Sequence, residues 1–172
     1  TDVSVFRPTD GTWYVSRSKL GDMYVMPWGL AGDQIVPADY DGDGKTDIAV
    51  RRPSDNTFYI FNSSNSTVEV RNFGITGDIA LPSDYNGDGK ADVAVWRPSN
   101  GTWYLSLSGS GIFYVMPWGL AADKPVPGDY DGDGKTDLAV FRPAEGRWYI
   151  FNTVTGAFST NDFGVNGDTP VQ

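Results

Sequence analysis

The chain has 172 residues, no cysteine, no histidine and a net charge of −9. Without thiols or imidazoles it can form no disulfide, no Cys- or His-based zinc site and no Ser-His-Asp triad. Its acidity also removes the basic footprint that nucleic acid requires, so no nucleic-acid partner is expected.

The remaining composition reads as all-β. Gly and Pro contribute 21 and 11 residues and aromatics 14%, and the commonest apolar residues, among them Val, Ile, Phe, Tyr and Trp, suit pleated, half-buried surfaces. No apolar stretch approaches the roughly 18 residues of a membrane helix and no charged-then-apolar leader opens the chain. The expectation is a soluble chain with no membrane span, any leader being already absent.

Taken in chain order, the sequence repeats itself. Arg-Pro comes at Arg7, an aromatic-Tyr pair at Trp13, aromatic-Gly at Trp28, and then Asp39-Tyr-Asp-Gly-Asp-Gly-Lys-Thr-Asp47. The series restarts with Arg52, Phe58, Phe73 and the Asp84–Asp92 loop, then with Arg97, Trp103, Trp118 and the Asp129–Asp137 loop, and ends on Arg142, Trp148 and Phe163. The period is 84 − 39 = 129 − 84 = 45 residues. Tyr24–Leu30 returns 90 residues on as Tyr114–Leu120, and Tyr59–Asn62 as Tyr149–Asn152, so the units alternate A-B-A-B. A fixed period of this size marks a repeat architecture.

Within the unit 124–167 the turn residues separate four strands, near Val126–Tyr130, Leu138–Arg142, Arg147–Asn152 and Phe158–Phe163, which predicts an antiparallel meander. Its second strand is apolar on both faces: Ile48 and Val50 against Ala49, then Val93 and Val95 against Ala94 and Trp96, then Leu138 and Val140 against Ala139 and Phe141. Two apolar faces imply a sheet covered on both sides. Propeller-type blades stacked about an axis achieve this, whereas a β-sandwich predicts outward polar alternation and gives no reason for the period. The fold class is therefore all-β, with four-stranded repeats of 45 residues in a closed ring or in part of a larger array.

The units are 34–78, 79–123, 124–167 and an incomplete 1–33. Thr169–Gln172 aligns with Lys124–Pro127, so residues 168–172 are expected to complete the first unit. Four units make 180 residues, eight more than the chain, and those eight would hold the start of a fourth loop of which Asp2 is the remnant. The expectation is a slice of a longer array, or a chain whose ends exchange strands.

The acids converge on a hard cation. Asp outnumbers Glu 20 to 2, and 12 of the 22 acids lie at four equivalent loop positions. Ca²⁺ takes six to eight oxygens, and ligands at loop positions 1, 3, 5 and 7 wrap it where glycine permits the turn. The candidate ligands are Asp39, Asp41, Asp43, the Lys45 carbonyl and Asp47; Asp84, Asn86, Asp88, the Lys90 carbonyl and Asp92; Asp129, Asp131, Asp133, the Lys135 carbonyl and Asp137; and Asp2. Gly44, at position 6, is expected to need a positive φ. An EF-hand is excluded because position 12 is Val50, Val95 or Val140, within strands. Asn86 removes one carboxylate from the second loop, which should bind most weakly.

The stretch Pro127-Gly-Asp-Tyr-Asp-Gly-Asp-Gly-Lys-Thr-Asp-Leu-Ala-Val-Phe-Arg-Pro143, with Phe163-Gly164, resembles the FG-GAP/VCBS-type repeats of integrin-α-like β-propellers. The resemblance covers essentially the whole chain. It implies propeller blades with a calcium loop between the first and second strands, in secreted or cell-surface proteins that adhere or bind ligands.

The function expected is a non-catalytic, Ca²⁺-binding extracellular module with a structural or adhesive role. It would join other copies of itself or flanking repeats head to tail, into a larger ring or filament. The alternative is a propeller lectin, whose partner would be a glycan or a cell-surface protein. The Arg-Pro arginines and Asp33, Asp78, Asp123 and Asp168 also recur and read as ion pairs stapling strands or neighbouring blades. The aromatic-Tyr pairs read as core between blades. Met26-Pro-Trp28 and Met116-Pro-Trp118 read as exposed apolar surface for a partner.

Overall fold

The computed structural model of the chain describes residues 2–171, which divide after Thr76 into two compact units. Every strand pairs antiparallel with its sequence neighbour, and no helix occurs among the described residues. The first unit holds β1 (Val3–Arg7), β2 (Thr12–Arg17) and β3 (Asp22–Pro27) in one sheet. Its second sheet is β4 (Gln34–Ile35), β5 (Ile48–Arg52), β6 (Thr57–Phe61) and β7 (Val68–Asn72). The second unit holds β8 (Ile79–Ala80), β9 (Val93–Arg97), β10 (Thr102–Ser106) and β11 (Phe113–Pro117), then β12 (Lys124–Pro125), β13 (Leu138–Arg142), β14 (Arg147–Phe151) and β15 (Phe158–Asp162). These are the expected propeller-type blades, three of four strands and one, the first, of three. Thr169–Val171 form no strand, and Gln172 lies outside the described residues, as does Thr1.

Three of the four strands predicted for residues 124–167 fall within one residue of their expected ends. The first does not: instead of Val126–Tyr130 it is Lys124–Pro125. Proline has no amide proton, so Pro127 interrupts the ladder. Pairing resumes beyond it as the single bridge Gly128↔Asp137, and the same break follows Pro37 and Pro82, with bridges Ala38↔Asp47 and Ser83↔Asp92.

The turn between β1 and β2, and between the second and third strands of the other three sheets, is a four-residue loop that opens on proline and ends on a left-handed residue: Gly11, Asn56, Gly101 or Gly146. Glycine suits three of these positions for a second reason. A Cβ on Gly101 would stand 2.3 Å from the Gly119 carbonyl oxygen, and Gly11 and Gly146 meet Gly29 and Gly164 in the same way. Backbone passes against backbone there, and each contact is sealed by a hydrogen bond from the amide of Trp28, Trp118 or Phe163 to the carbonyl of Gly11, Gly101 or Gly146.

The central strands are buried on both faces as expected. Ala49, Val50, Val93, Ala94, Val95, Leu138, Ala139 and Val140 are all sealed from solvent. In the second unit, Ala94, Trp96, Trp103 and Leu105 of one sheet share a core with Leu138 and Val140 of the next. Each fully buried aliphatic or aromatic side chain contributes about 1.5–3 kcal/mol relative to exposure. Trp13, Phe58 and Trp103 are core, and Trp148 is half-buried. The first sheet departs from this pattern: Val3 and Val5 on β1 are exposed.

The Met-Pro-Trp segments are not the exposed surface expected of them. Trp28 and Trp118 are half-buried, each against the next sheet of its own unit. Trp28 lies 5.7 Å from the Phe61 ring and its indole N–H donates to the Tyr59 carbonyl at 3.0 Å; Trp118 repeats this with Phe151 at 5.4 Å and Tyr149 at 3.2 Å. A tryptophan that stitches one sheet to the next is hidden from a partner by that job.

Candidate metal centre

Each acidic loop begins one residue after the break caused by proline and is closed at its base by the bridge to its position-9 aspartate. In the first loop, the Asp47 amide donates to the Ala38 carbonyl at 2.7 Å. Its carboxylate then turns back into the loop. One oxygen accepts the Tyr40 and Asp41 amides at 2.8 and 3.3 Å, and the other accepts the Ser63 amide at 2.7 Å, from the turn between β6 and β7. Asp92 does the same with Tyr85 (2.9 Å) and Ser108 (2.6 Å), and Asp137 with Tyr130 (3.1 Å) and Thr153 (3.2 Å). Asp47, Asp92 and Asp137 are buried. Burial pushes the Asp92 and Asp137 carboxyls up against the opposing pull of these amides.

Asp2 occupies the same position. It accepts both the amide and the hydroxyl of Ser18 at 2.7 Å, and the hydroxyl bond foremost holds its carboxyl below the usual range. The partner, sixteen residues beyond each position-9 aspartate, is always hydroxylated: Ser18, Ser63, Ser108 or Thr153. That recurrence was available in the sequence and marks a second half of the site that the loop motif alone does not reveal. So was the tyrosine at position 2 of every complete loop. Tyr40, Tyr85 and Tyr130 donate their hydroxyls to the carbonyls of Val36, Leu81 and Val126 at 2.7–2.8 Å, clamping the incoming segment.

The remaining acids curl the loop around themselves. Asp39 accepts the amides of Gly42 (2.7 Å), Asp43 (3.2 Å) and Gly44 (2.8 Å). This is a nest of amides around a carboxylate, and it needs the left-handed Gly42 and Gly44, both at φ +80°. Asp84 and Asp129 sit in equivalent nests. Asp41 is further held by the Ser64 hydroxyl at 2.6 Å. Asp43 is held by the Lys45 ammonium at 2.8 Å, which sets its carboxyl below the usual range.

The structure thus brings one carboxylate oxygen from each of Asp39, Asp41 and Asp43 within 4.8 Å of one another, and likewise Asp129, Asp131 and Asp137. The second loop forms no such group of three acids among the described residues. There Asn86 presents its amide N–H to Asp88 at 3.2 Å, a donor where the other loops place a carboxylate, while the Ser108 hydroxyl holds Asp88 at 2.7 Å. The donor set in all three loops is oxygen, hard and mostly anionic, as Ca²⁺ requires.

Two loops are also tied to each other. In the second unit the Thr136 amide donates to the Asp84 carbonyl at 2.8 Å, the Ser83 and Thr136 hydroxyls are 2.6 Å apart, and the Lys135 stem crosses the face of Gly87. A side chain at position 87 would strike it.

The recurring arginines pair as expected in three units. Arg52, Arg97 and Arg142 each hold Asp33, Asp78 and Asp123 through two N–H groups at 2.8–3.1 Å, with the aspartates buried. Hydrogen bonding to the carboxylate is the chief reason the guanidinium pKa rises in each. Each guanidinium also lies 4.1–4.5 Å over the tyrosine ring of the neighbouring strand. Arg7 covers Tyr14 in the same way, but its hydrogen bonds go to Asp10 and the Tyr14 hydroxyl.

Comparison with known proteins places these loops. A profile described as the FG-GAP repeat matches residues 31–68 and 123–160, spanning the first and third loops, and one described as the FG-GAP-like repeat matches residues 84–140. No curated protein matches the chain. Among solved structures, a lectin of Agrocybe aegerita, described in terms of specific recognition of non-reducing terminal N-acetylglucosamine, aligns with a TM-score of 0.63 at 20% identity. The alignment covers 92% of this chain and 47% of the lectin, so the chain spans about half the lectin's length. At that identity the likeness is one of fold.

Proposed function

The chain is an FG-GAP repeat protein, and on that premise we propose that its three complete loops bind Ca²⁺ and that the metal stiffens a non-catalytic structural or adhesive module, secreted or displayed at a cell surface. The observation that carries this reading is the convergence of Asp39, Asp41 and Asp43 on one point, each offering an oxygen, beside a glycine in the left-handed conformation. Asp39, Asp41, Asp43 and Asp47 with the Lys45 carbonyl would hold the first ion. Asp84, Asn86, Asp88 and Asp92 with the Lys90 carbonyl would hold the second, and Asp129, Asp131, Asp133 and Asp137 with the Lys135 carbonyl the third. Asp2 would serve a fourth. The ion supplies positive charge where three or four carboxylates otherwise repel one another, and its binding free energy adds to that of folding. No helix of the described residues is long and apolar enough to cross a membrane.

Melting in calcium and in chelator tests this directly. A ligand held only by the folded state contributes about 2.7 kcal/mol per site at a hundredfold excess over Kd, so chelation should lower Tm by several degrees or more. Equal melting temperatures would refute calcium binding to the folded chain. Calorimetric titration should further show two tighter sites and one weaker. Asn86→Asp, which exchanges an amide donor for a carboxylate, should tighten the weak site on the order of tenfold. No change would show that position 86 faces away from the ion.

A glycan-binding role is the second reading, favoured by the fold shared with the lectin and by the exposed aromatics Phe113 and Tyr114 at the edge of the third sheet. A glycan array separates the two: the structural module gives no saturable signal, whereas a lectin gives one that Tyr114→Ala abolishes.

A further inference from the structure

We propose that the second and third loops take up their calcium ions as a coupled pair, with Thr136 as the positioning residue through which an ion in the third loop prepares the second. The inference rests on the calcium reading and names the regulation of those sites.

Both loops belong to the unit that follows Thr76, and they meet through backbone. Thr136 stands at position 8 of the third loop, between the Lys135 carbonyl and the Asp137 carboxylate that would serve its ion from positions 7 and 9. Its amide donates to the carbonyl of Asp84, position 1 of the second loop, at 2.8 Å. That N–H and the Lys135 carbonyl belong to one peptide group. The group is planar and trans, so its oxygen and its hydrogen point in opposite directions and can only turn together. An oxygen held by an ion in the third loop therefore fixes the hydrogen aimed at Asp84. The pull of the cation on that oxygen also makes the N–H a stronger donor, as when hydrogen bonds in a chain polarise one another.

Side chains reinforce the contact. The Thr136 hydroxyl lies 2.6 Å from that of Ser83, the residue directly before Asp84, and Thr136 is buried. The methylenes of Lys135 pass over Gly87, where an added Cβ would come within 2.7 Å of them. Asp84 in turn is the carboxylate around which the second loop curls, accepting the amides of Gly87 and Gly89 at 2.6 and 2.8 Å. Holding its backbone holds the centre of that nest. The hydroxyl pair is particular to these two loops: one period earlier, positions 83 and 136 correspond to Ala38 and Ala91, and neither carries a hydroxyl.

The second loop gains most from this support. Asn86 leaves it three carboxylates where the third loop has four, so the third loop fills first. An Asp84 already held in place spares the second ion part of the ordering that binding would otherwise require. Two cations on neighbouring loops also repel. That repulsion acts between exposed loops and is screened over about 8 Å at physiological salt, whereas a buried hydrogen bond is screened far less. The third loop's four carboxylates also outnumber the two charges of its ion, so the filled loop stays negative. The coupling is therefore positive, and by linkage it acts equally in both directions.

Nuclear magnetic resonance of the isotope-labelled 172-residue chain, titrated with calcium at physiological salt, tests this. The position-6 amides of Gly89 and Gly134 bond Asp84 and Asp129, so each reports its own loop. The Gly134 signal should shift at lower calcium than the Gly89 signal. Emptying the third loop with Asp131→Asn and Asp133→Asn together should raise the Gly89 midpoint about fivefold or more; the first of these copies the asparagine that the second loop already carries. Thr136→Ala, which keeps every ligand and copies Ala91, should raise the Gly89 midpoint about threefold and leave that of Gly134 in place, and Thr136→Ser should restore it. This asymmetry separates coupling from damage, because a residue serving only its own loop would move Gly134. The coupling is overturned by a Gly89 signal that shifts before Gly134, by a Gly89 midpoint that the emptied third loop leaves unchanged or lowers, by a Thr136→Ala effect confined to Gly134, or by a Thr136→Ser variant that restores nothing. Calcium shifts at both glycines with unlinked midpoints refute the coupling alone, whereas no shift at either refutes the metal reading itself.

Discussion

The structure depends on a buried carboxylate at the ninth position of each acidic loop. Asp47, Asp92 and Asp137 are sealed from solvent, and a carboxylate in that setting costs several kcal/mol unless its oxygens are bonded. Each meets that cost in the same way, with one oxygen accepting from its own loop (two amides for Asp47, one for Asp92 and Asp137) and the other accepting the amide sixteen residues on. The loop is thereby folded back on its base and the outer hairpin is held against it. One side chain fixes the start of the second strand, the path of the loop and the end of the third strand.

The opposite end of the same strand is pinned by the other recurring acid. β5, β9 and β13 begin directly after a position-9 aspartate and end on an arginine that grips a buried aspartate with two N–H groups. Between these two charged anchors β9 and β13 carry only buried apolar residues, while β5 carries a half-buried Ile48, the buried Ala49 and Val50, and a buried Arg51. Apolar residues give the strand its burial but no unique register, whereas a one-residue slip would strip both anchors of their partners. The two polar contacts therefore define where the otherwise apolar strands β9 and β13 sit, and in β5 the buried Arg51 adds bonds to Gln34, Asn56 and the Ile75 carbonyl. The acids at positions 1, 3 and 5 are left to the rim, where nests of amides and a few hydroxyls aim their oxygens inward.

Much of this was legible in the sequence because it recurs. The period located the loops, the central strands Leu138–Arg142 and Arg147–Phe151, the core aromatics Trp13, Phe58 and Trp103, and the Arg–Asp pairs. What was missed follows from context that a repeat hides. The first strand starts two residues before the apolar run Val126–Tyr130, because the missing amide of Pro127 interrupts pairing inside that run. Nothing in the sequence marks Trp28 and Trp118 as half-buried, because their indole partners, the carbonyls of Tyr59 and Tyr149, lie 31 residues away and carry no side-chain signature. The hydroxyls of Ser18, Ser63, Ser108 and Thr153 do recur, but sixteen residues beyond the last acid of the loop motif. The exposure of Val3 and Val5 could not be read from a pattern that makes their counterparts in the other sheets core.

The central claim is that the position-9 carboxylate organises the blade through its own hydrogen bonds, apart from any metal. Asp92→Asn, melted in chelator, tests it most directly. Asparagine fills the same space but offers one acceptor oxygen and an N–H₂ group that must face either the Tyr85 or the Ser108 amide, donor against donor. The account predicts a loss of about 2 kcal/mol or more in the metal-free protein, as for a buried group left unsatisfied. A variant as stable as the wild type in chelator would contradict it.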